Sequence, residues 1–192
     1  MFKEFLIESG ARLTSQISSS NANLETIKSL ETACFKIKEA IESHKVVYFF
    51  GNGGSAAEAT HIAAEFTSFC VKKHEPWSAV CLNDSISSLT AIPNDYSFGE
   101  LFQRQIQALL RPGDVAVGLS TSGISQNVLL GLNLATNLGG YSILMTSVRA
   151  PKSNQDLKID LEIKADSLET TRIQEIHLHW LHTIIEYLEV TI

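Results

Sequence analysis

Residues 46–59 read VVYFFGNGGSAAEA: an apolar and aromatic run, a turn built on Gly51, Gly53 and Gly54 around Asn52, and then a strong helix former. A run such as Val46–Phe50, with no polar residue alternating through it, suits a strand covered on both faces, and such strands belong to parallel sheets. Outward from it the same pattern recurs at Ala79–Leu82, Val115–Leu119, Tyr141–Thr146 and Asp160–Ile163, with helical patterning between the runs. Strands alternating with helices predict an α/β fold, a three-layer α/β/α sandwich around a parallel five-stranded sheet. Upstream, apolar residues recur at helical spacing (Phe2, Phe5, Leu6, Leu13, Ile17, then Leu24, Ile27, Leu30, Phe35, Ile37, Ile41), interrupted by the polar run Ser18–Asn23. Two helices over residues 1–43 therefore precede the α/β core of 44–192, and the whole reads as a single domain. The extra N-terminal helix, Phe2 to about Ser19, has no strand to cross over from. It either covers its own sheet or packs on a partner subunit. The polar stretch 149–158 is read as a loop.

Composition narrows the function classes. The chain has 192 residues, 44% hydrophobic and 19% charged, which is globular and excludes disorder as the main state. Fifteen Lys and Arg against 21 Asp and Glu give a net charge of −6, so there is no broad basic surface for nucleic acid, and an anionic ligand needs a local site. Cys34, Cys70 and Cys81 have no metal-like spacing, and their odd count argues against a secreted disulfide framework, so a reducing cytoplasm fits. Lys3, Glu4, Glu8 and Arg12 interrupt any signal-peptide core, and no run of ~18 apolar residues could span a membrane. A soluble protein is expected.

Two loops could hold an anion. Gly51-Asn52-Gly53-Gly54-Ser55 joins a strand to a helix start, where free N–H groups favour negative charge. It lacks the third glycine of GxGxxG and the Lys of a P-loop, and by itself it is equally well a plain βα connection. After the third strand comes Ser120-Thr121-Ser122-Gly123-Ile124-Ser125, four hydroxyls within six residues, leading into a helix from about Gln126. One of them, Ser125, is expected as a helix cap. One cap does not account for four, and hydroxyls with helix N–H groups form a neutral cradle suited to a sugar phosphate. Both loops lie at the carboxyl ends of strands, where open α/β sheets bind ligands.

The titratable residues fall on two helices. His61 and Glu65 are four apart and share a face. Their flanks are apolar, so they read equally as a structural pair or as a site. Near the C-terminus, 172–182 reads RIQEIHLHWLH, a helix on which Gln174 and His182 share one row, while Glu175, His179, His182 and Glu186 form a competing row. Spacing leaves that choice open. His177 and His179 read more readily as surface or subunit-contact histidines than as ligands.

Four motifs, 51–65 (GNGGSAAEATHIAAE), 89–96 (LTAIPNDY), 111–125 (RPGDVAVGLSTSGIS) and 172–182, occur in this order, and with them the chain resembles the phosphoheptose (sedoheptulose 7-phosphate) isomerases, a family of SIS domain proteins, over nearly its whole length. The resemblance implies a flavodoxin-like SIS domain and a homotetramer with active sites between subunits. It implies interconversion of sedoheptulose 7-phosphate and D-glycero-D-manno-heptose 7-phosphate, for lipopolysaccharide heptose, with no organic cofactor. By motif, Asn52, Gly53, Gly54, Ser55, Asn94 and Asp95 contact substrate, and Ser120, Thr121, Ser122 and Ser125 hold phosphate. His61, Glu65, Gln174 and His182 match zinc ligands, with Glu65 and Gln174 also touching substrate, and Glu65 with His182 match the catalytic pair. This resemblance favours the Gln174–His182 row. The chain departs from the family at Thr67–Cys70, where many members carry a basic residue. A second departure is Pro93, whose fixed φ is expected to shape the Asn94–Asp95 loop. A third lies after the fourth strand, where a glycine pair is absent. Two other roles within the family, a non-enzymatic homotetramer binding the replication initiator DnaA and a phosphosugar sensor, are disfavoured because Glu65 and His182 are both present.

Overall fold

The computed structural model describes residues 1–151 and 157–192; residues 152–156 of the expected 149–158 loop lie outside the described residues. In chain order the elements are α1 (Phe2–Ala22), α2 (Leu24–Glu42), β1 (Val47–Gly51), α3 (Gly54–Thr67), β2 (Ala79–Cys81), α4 (Ile86–Asp95), a short 3-10 turn (Phe98–Glu100), α5 (Leu101–Leu109), β3 (Val115–Leu119), α6 (Gln126–Asn137), β4 (Tyr141–Ser147), β5 (Leu161–Ala165) and α7 (Thr170–Thr191). The sheet order is β2-β1-β3-β4-β5, and every pairing is parallel. Val47 pairs with both Ala79 and Val115, and Val115 with Tyr141.

Strand side chains alternate between two cores, as a two-residue period requires. Val47, Phe49, Val117, Leu119, Ile143 and Met145 pack with Ile37 of α2, Ile62 and Phe66 of α3, and Ile176, Trp180 and Ile185 of α7. On the other face Tyr48, Phe50, Ala116 and Leu144 meet Phe102 and Ile106 of α5 and Val128 and Leu132 of α6. Burial on both sides is why β1 and β3 read as unbroken apolar runs. This is the three-layer α/β/α sandwich the sequence predicts.

The edges differ from expectation. β5 runs on to Ala165 because it is an edge strand with one covered face. Ile163 and Ala165 are buried, while Glu162 and Lys164 form an ion pair of 3.1 Å on the other side, so the apolar pattern expected over Asp160–Ile163 is mixed and stops short of the strand's end. α1 continues through most of the polar run to Ala22. The break falls at Asn23, whose Oδ1 accepts from the N–H groups of Glu25 (2.9 Å) and Thr26 (3.2 Å) and caps α2. α1 buries only Ser20, and Phe2, Phe5, Leu6 and Ile7 are exposed. It does not cover its own sheet. Its C-terminal end is fastened to α7 by Asn21, which accepts from Trp180 Nε1 at 2.7 Å and meets His179 Nε2 at 3.3 Å.

Candidate active site

The strand order changes direction between β1 and β3, so the loops that follow these strands, 51–55 and 120–125, open side by side at the carboxyl edge of the sheet. The glycine loop is held from three directions. Asn83 grips the Gly51 backbone, accepting from its N–H (3.1 Å) and donating to its carbonyl (3.0 Å). Asn52 and Asn127 exchange reciprocal amide hydrogen bonds, each Nδ2 to the other's Oδ1 at 2.9 Å. Gln174 of α7 backs onto the turn: its Nε2 lies 3.5 Å from Ser55 Oγ, and a Cβ at Gly54 would overlap its amide. Gly53, with φ of 56°, adopts the left-handed region that a side chain disfavours.

In the hydroxyl loop, Ser120 is buried and its Oγ donates to Ser125 Oγ at 2.9 Å. Ser125 occupies the N-cap position of α6 as expected, but its side chain makes no cap hydrogen bond. It is turned toward Ser120 instead, so it does not cap the helix. Ser122 Oγ accepts from the N–H of Ile124 at 3.4 Å, and Ser147 Oγ donates to the Thr121 carbonyl at 2.8 Å. The segment after β4 therefore supports the cradle without a glycine pair: Gly123, at φ 70°, packs so tightly on Ala150 that no Cβ fits.

Further down α3 the histidine and carboxylate pair meets α7. His61 Nε2 is 3.2 Å from His182 Nε2 and 3.4 Å from Glu65 Oε1. Burial first, then His61, push the His182 imidazole below its ordinary pKa, so it stays neutral and keeps a basic nitrogen near neutral pH. In the competing row, His179 is engaged by Asn21 of α1, while His182, common to both rows, meets His61. Among the described residues no group of three or more His, Cys, Asp and Glu side chains forms a ready-made metal cage.

Other expected residues fall elsewhere. His177 is neither surface nor contact; it is fully buried, its Nε2–H donates to the Thr146 carbonyl at 2.7 Å, and burial lowers its pKa to about 4. Pro93 does not shape a loop: α4 runs through it, and Asn94 and Asp95 form the exposed end of that helix, joined by a 2.7 Å bond. Among Thr67–Cys70, Thr67 ends α3, and the N–H groups of Cys70, Val71 and Lys72 all donate to Glu189 of α7 at 2.5, 2.9 and 2.8 Å. Sequence reasoning missed Asn83, Asn127 and Glu58. The first two left a faint signal, an amide just beyond β2 and one just inside α6. Glu58, one turn past Ser55, is 7% exposed, and both its oxygens lack a hydrogen-bond partner. Burial raises its carboxyl to about 8, against the lowering effect of Ser55.

A parallel sheet with a glycine loop and a hydroxyl loop at its switch point, and no nucleotide motif, defines a sugar isomerase (SIS) domain, and the family model described as SIS domain matches residues 9–147. A probable phosphoheptose isomerase of Thermoplasma acidophilum is 43% identical over 166 residues, covering 85% of this chain and 87% of its own length. The phosphoheptose isomerase of Aquifex aeolicus is 43% identical over 153 residues, covering 80% and 79%. The solved phosphoheptose isomerase of Neisseria gonorrhoeae superposes with a TM-score of 0.89 at 32% identity, covering 99% of this chain and 100% of that one. The chain belongs to the phosphoheptose isomerase family of SIS domain proteins.

Proposed function

We propose that this protein interconverts sedoheptulose 7-phosphate and D-glycero-D-manno-heptose 7-phosphate. The observation that carries this reading is the meeting of His61, Glu65 and His182 on α3 and α7, in a chain whose sheet edge also presents a phosphate cradle. The Ser120, Thr121, Ser122 and Ser125 hydroxyls and the α6 N-terminus hold the phosphate. Asn52, Gly53, Gly54, Ser55 and Gln174 line the sugar, with Asn94 and Asp95. Glu65 takes a proton from C1 of the open-chain ketose and returns it to C2 through an enediol. His182, neutral at working pH, moves the proton between the two oxygens. No electron leaves the substrate, so no organic cofactor is called for.

Zinc fits the donor set. Two nitrogens bonded to one tetrahedral zinc stand about 3.3 Å apart, and His61 and His182 stand at 3.2 Å. His61, His182 and Glu65 would hold the ion; Gln174, the fourth donor that the resemblance implies, has its amide at the glycine turn beside Ser55 and Gly54 and would have to leave it to reach them. When bound, zinc would supply Lewis-acid polarisation of the substrate oxygens in place of the His182 proton shuttle, because an imidazole nitrogen bonded to the metal cannot carry that proton.

We read the active sites as shared between subunits, as the family resemblance implies. Glu65 lies eleven residues down α3 from Gly54, about 16 Å along the helix axis at 1.5 Å per residue. Glu65 therefore stands well away from the glycine turn that lines the sugar. His61 faces outward from the chain, which supports a cradle served by the acid/base pair of a neighbour, in a D2 tetramer joined through the exposed apolar residues of α1. Among the described residues no helix is long and apolar enough to cross a membrane, and free Cys34, Cys70 and Cys81 fit a reducing cytoplasm. The whole chain, 1–192, acts as one SIS domain, because α7 completes the site.

The test is incubation of the purified protein with sedoheptulose 7-phosphate under proton NMR. Appearance of the aldose phosphate supports the reading. Binding without conversion shifts it to a sensor.

A further inference from the structure

The reciprocal pair between Asn52 and Asn127 is the one side-chain bridge in the described structure that joins the glycine loop directly to the helix carrying the phosphate cradle. Asn127 is 2% exposed and sits in the first turn of α6, two residues beyond Ser125. Its position excludes direct contact with a sugar, whereas Asn52 is partly exposed at the tip of the turn.

Each amide carries two N–H groups and an oxygen with two lone pairs. The pair uses one donor and one acceptor site on each side. Rotating one amide alone by half a turn would set nitrogen against nitrogen and oxygen against oxygen, so the two orientations are locked together. Asn127 Oδ1 also accepts from the Val128 N–H at 3.0 Å, which fixes it to the helix. Asn52 therefore presents its second N–H in one direction only. With Asn83 holding Gly51, the turn has no freedom left at that end.

We propose that Asn127 is a positioning residue of the isomerase: it orients the Asn52 amide toward the sugar and holds the glycine loop in register with the phosphate cradle. This rests on the proposed function only for the identity of the substrate. Losing the bridge leaves the phosphate hydroxyls in place but lets the Asn52 amide rotate, so the reacting end of the sugar is held in the wrong geometry.

The experiment is a double-mutant cycle of Asn52→Ala and Asn127→Ala, read on kcat and KM for sedoheptulose 7-phosphate, with inorganic phosphate as a competitive inhibitor. Each single variant is expected to lose about tenfold or more in kcat/KM, chiefly in kcat. The double variant should lose no more than the worse single one, and the phosphate inhibition constant should change by less than about twofold in every case. Losses that multiply in the double variant would overturn the coupling. A phosphate constant that worsens in step with kcat/KM would show that Asn127 only builds the cradle, which also overturns the proposal. If Asn127→Ala does not fold, Asn127→Ser takes its place in the cycle. If the wild-type protein binds sedoheptulose 7-phosphate without converting it, the functional reading has failed, and the same cycle is read on calorimetric affinity for that sugar phosphate.

Discussion

His61 and His182 face one another across α3 and α7 with their Nε2 atoms 3.2 Å apart and their rings tilted by 59°. Two imidazoles at that separation share either a proton or a cation. Protein purified without chelator should therefore carry zinc in proportion to sites, and His61→Ala should lose that metal while keeping its fold. Elemental analysis with zinc add-back after exhaustive chelation checks this. Failure to take up zinc removes the metal site, and full activity in metal-free protein removes its Lewis-acid role.

Among the described residues the ion pair of Glu65 is with His61, and Glu65 is only partly buried, so removing its charge should leave the fold intact. Glu65→Gln should lower kcat by roughly 10² to 10⁴, with the melting temperature nearly unchanged. Wild-type turnover by this variant would dismiss Glu65 as the base.

Stability should depend on pH through two buried groups of opposite sign. The Glu58 carboxyl is raised from 4.5 to about 8, so its contribution is complete below 4.5 and is lost as pH rises through about 8. His177 is lowered from 6.5 to about 4, so its contribution is present above 6.5 and is lost as pH falls through about 4. The two slopes oppose one another between 4.5 and 6.5, and from 6.5 to 8 that of Glu58 remains. The melting temperature should fall over that upper window, and Glu58→Gln should remove the fall. An unchanged fall in the variant would place its origin elsewhere.

Two glycine substitutions should separate folding from catalysis. Gly123→Ala places a side chain at φ 70° against Ala150 and should cost at least ~1–2 kcal/mol of stability. Gly54→Ala meets only the flexible end of Gln174, so it should melt near wild type but lose activity by displacing that amide. Calorimetry beside a rate assay distinguishes them, and equal melting points for the two variants would contradict this account.

The exposed α1 side chains Phe5 and Leu6 should lie at a subunit contact. The pair Phe5→Glu and Leu6→Glu is expected to give a folded but smaller and inactive species by light scattering. A fully active monomer would show that one chain holds a complete site.

Much of this was legible in the sequence because burial on both faces leaves a coarse mark. β1 and β3 are apolar at every position, so their existence and parallel pairing followed from composition alone. β5 was blurred because an edge strand alternates, with Glu162 and Lys164 on its open side. For the site, His61 with Glu65 was visible as a helical spacing, but the choice between the row of Gln174 and the row of Glu175 and His179, which share His182, depended on what lay across from α7, and nothing local encodes that Asn21 of α1 engages His179. Asn83 and Asn127 were missed for the same reason. An asparagine beside a turn is an ordinary residue until its partner, 32 or 75 positions away, is known. Glu58 was read only as part of a strong helix former, and the packing of α3 on the sheet is what turns it inward.

α3 bears the glycine turn at its head and His61 and Glu65 two and three turns below, with no irregularity between them. Each residue of a helix advances it by 1.5 Å and rotates it by about 100°. One residue inserted between Ser55 and His61 would swing the imidazole away from His182 while every side chain of the site remained present. Surrounding loops can lengthen or shorten without touching this relation, because they do not set the phase of the rod. What the chain must conserve here is therefore partly a number: the count of residues from turn to imidazole, which no substitution at any single position can alter or repair.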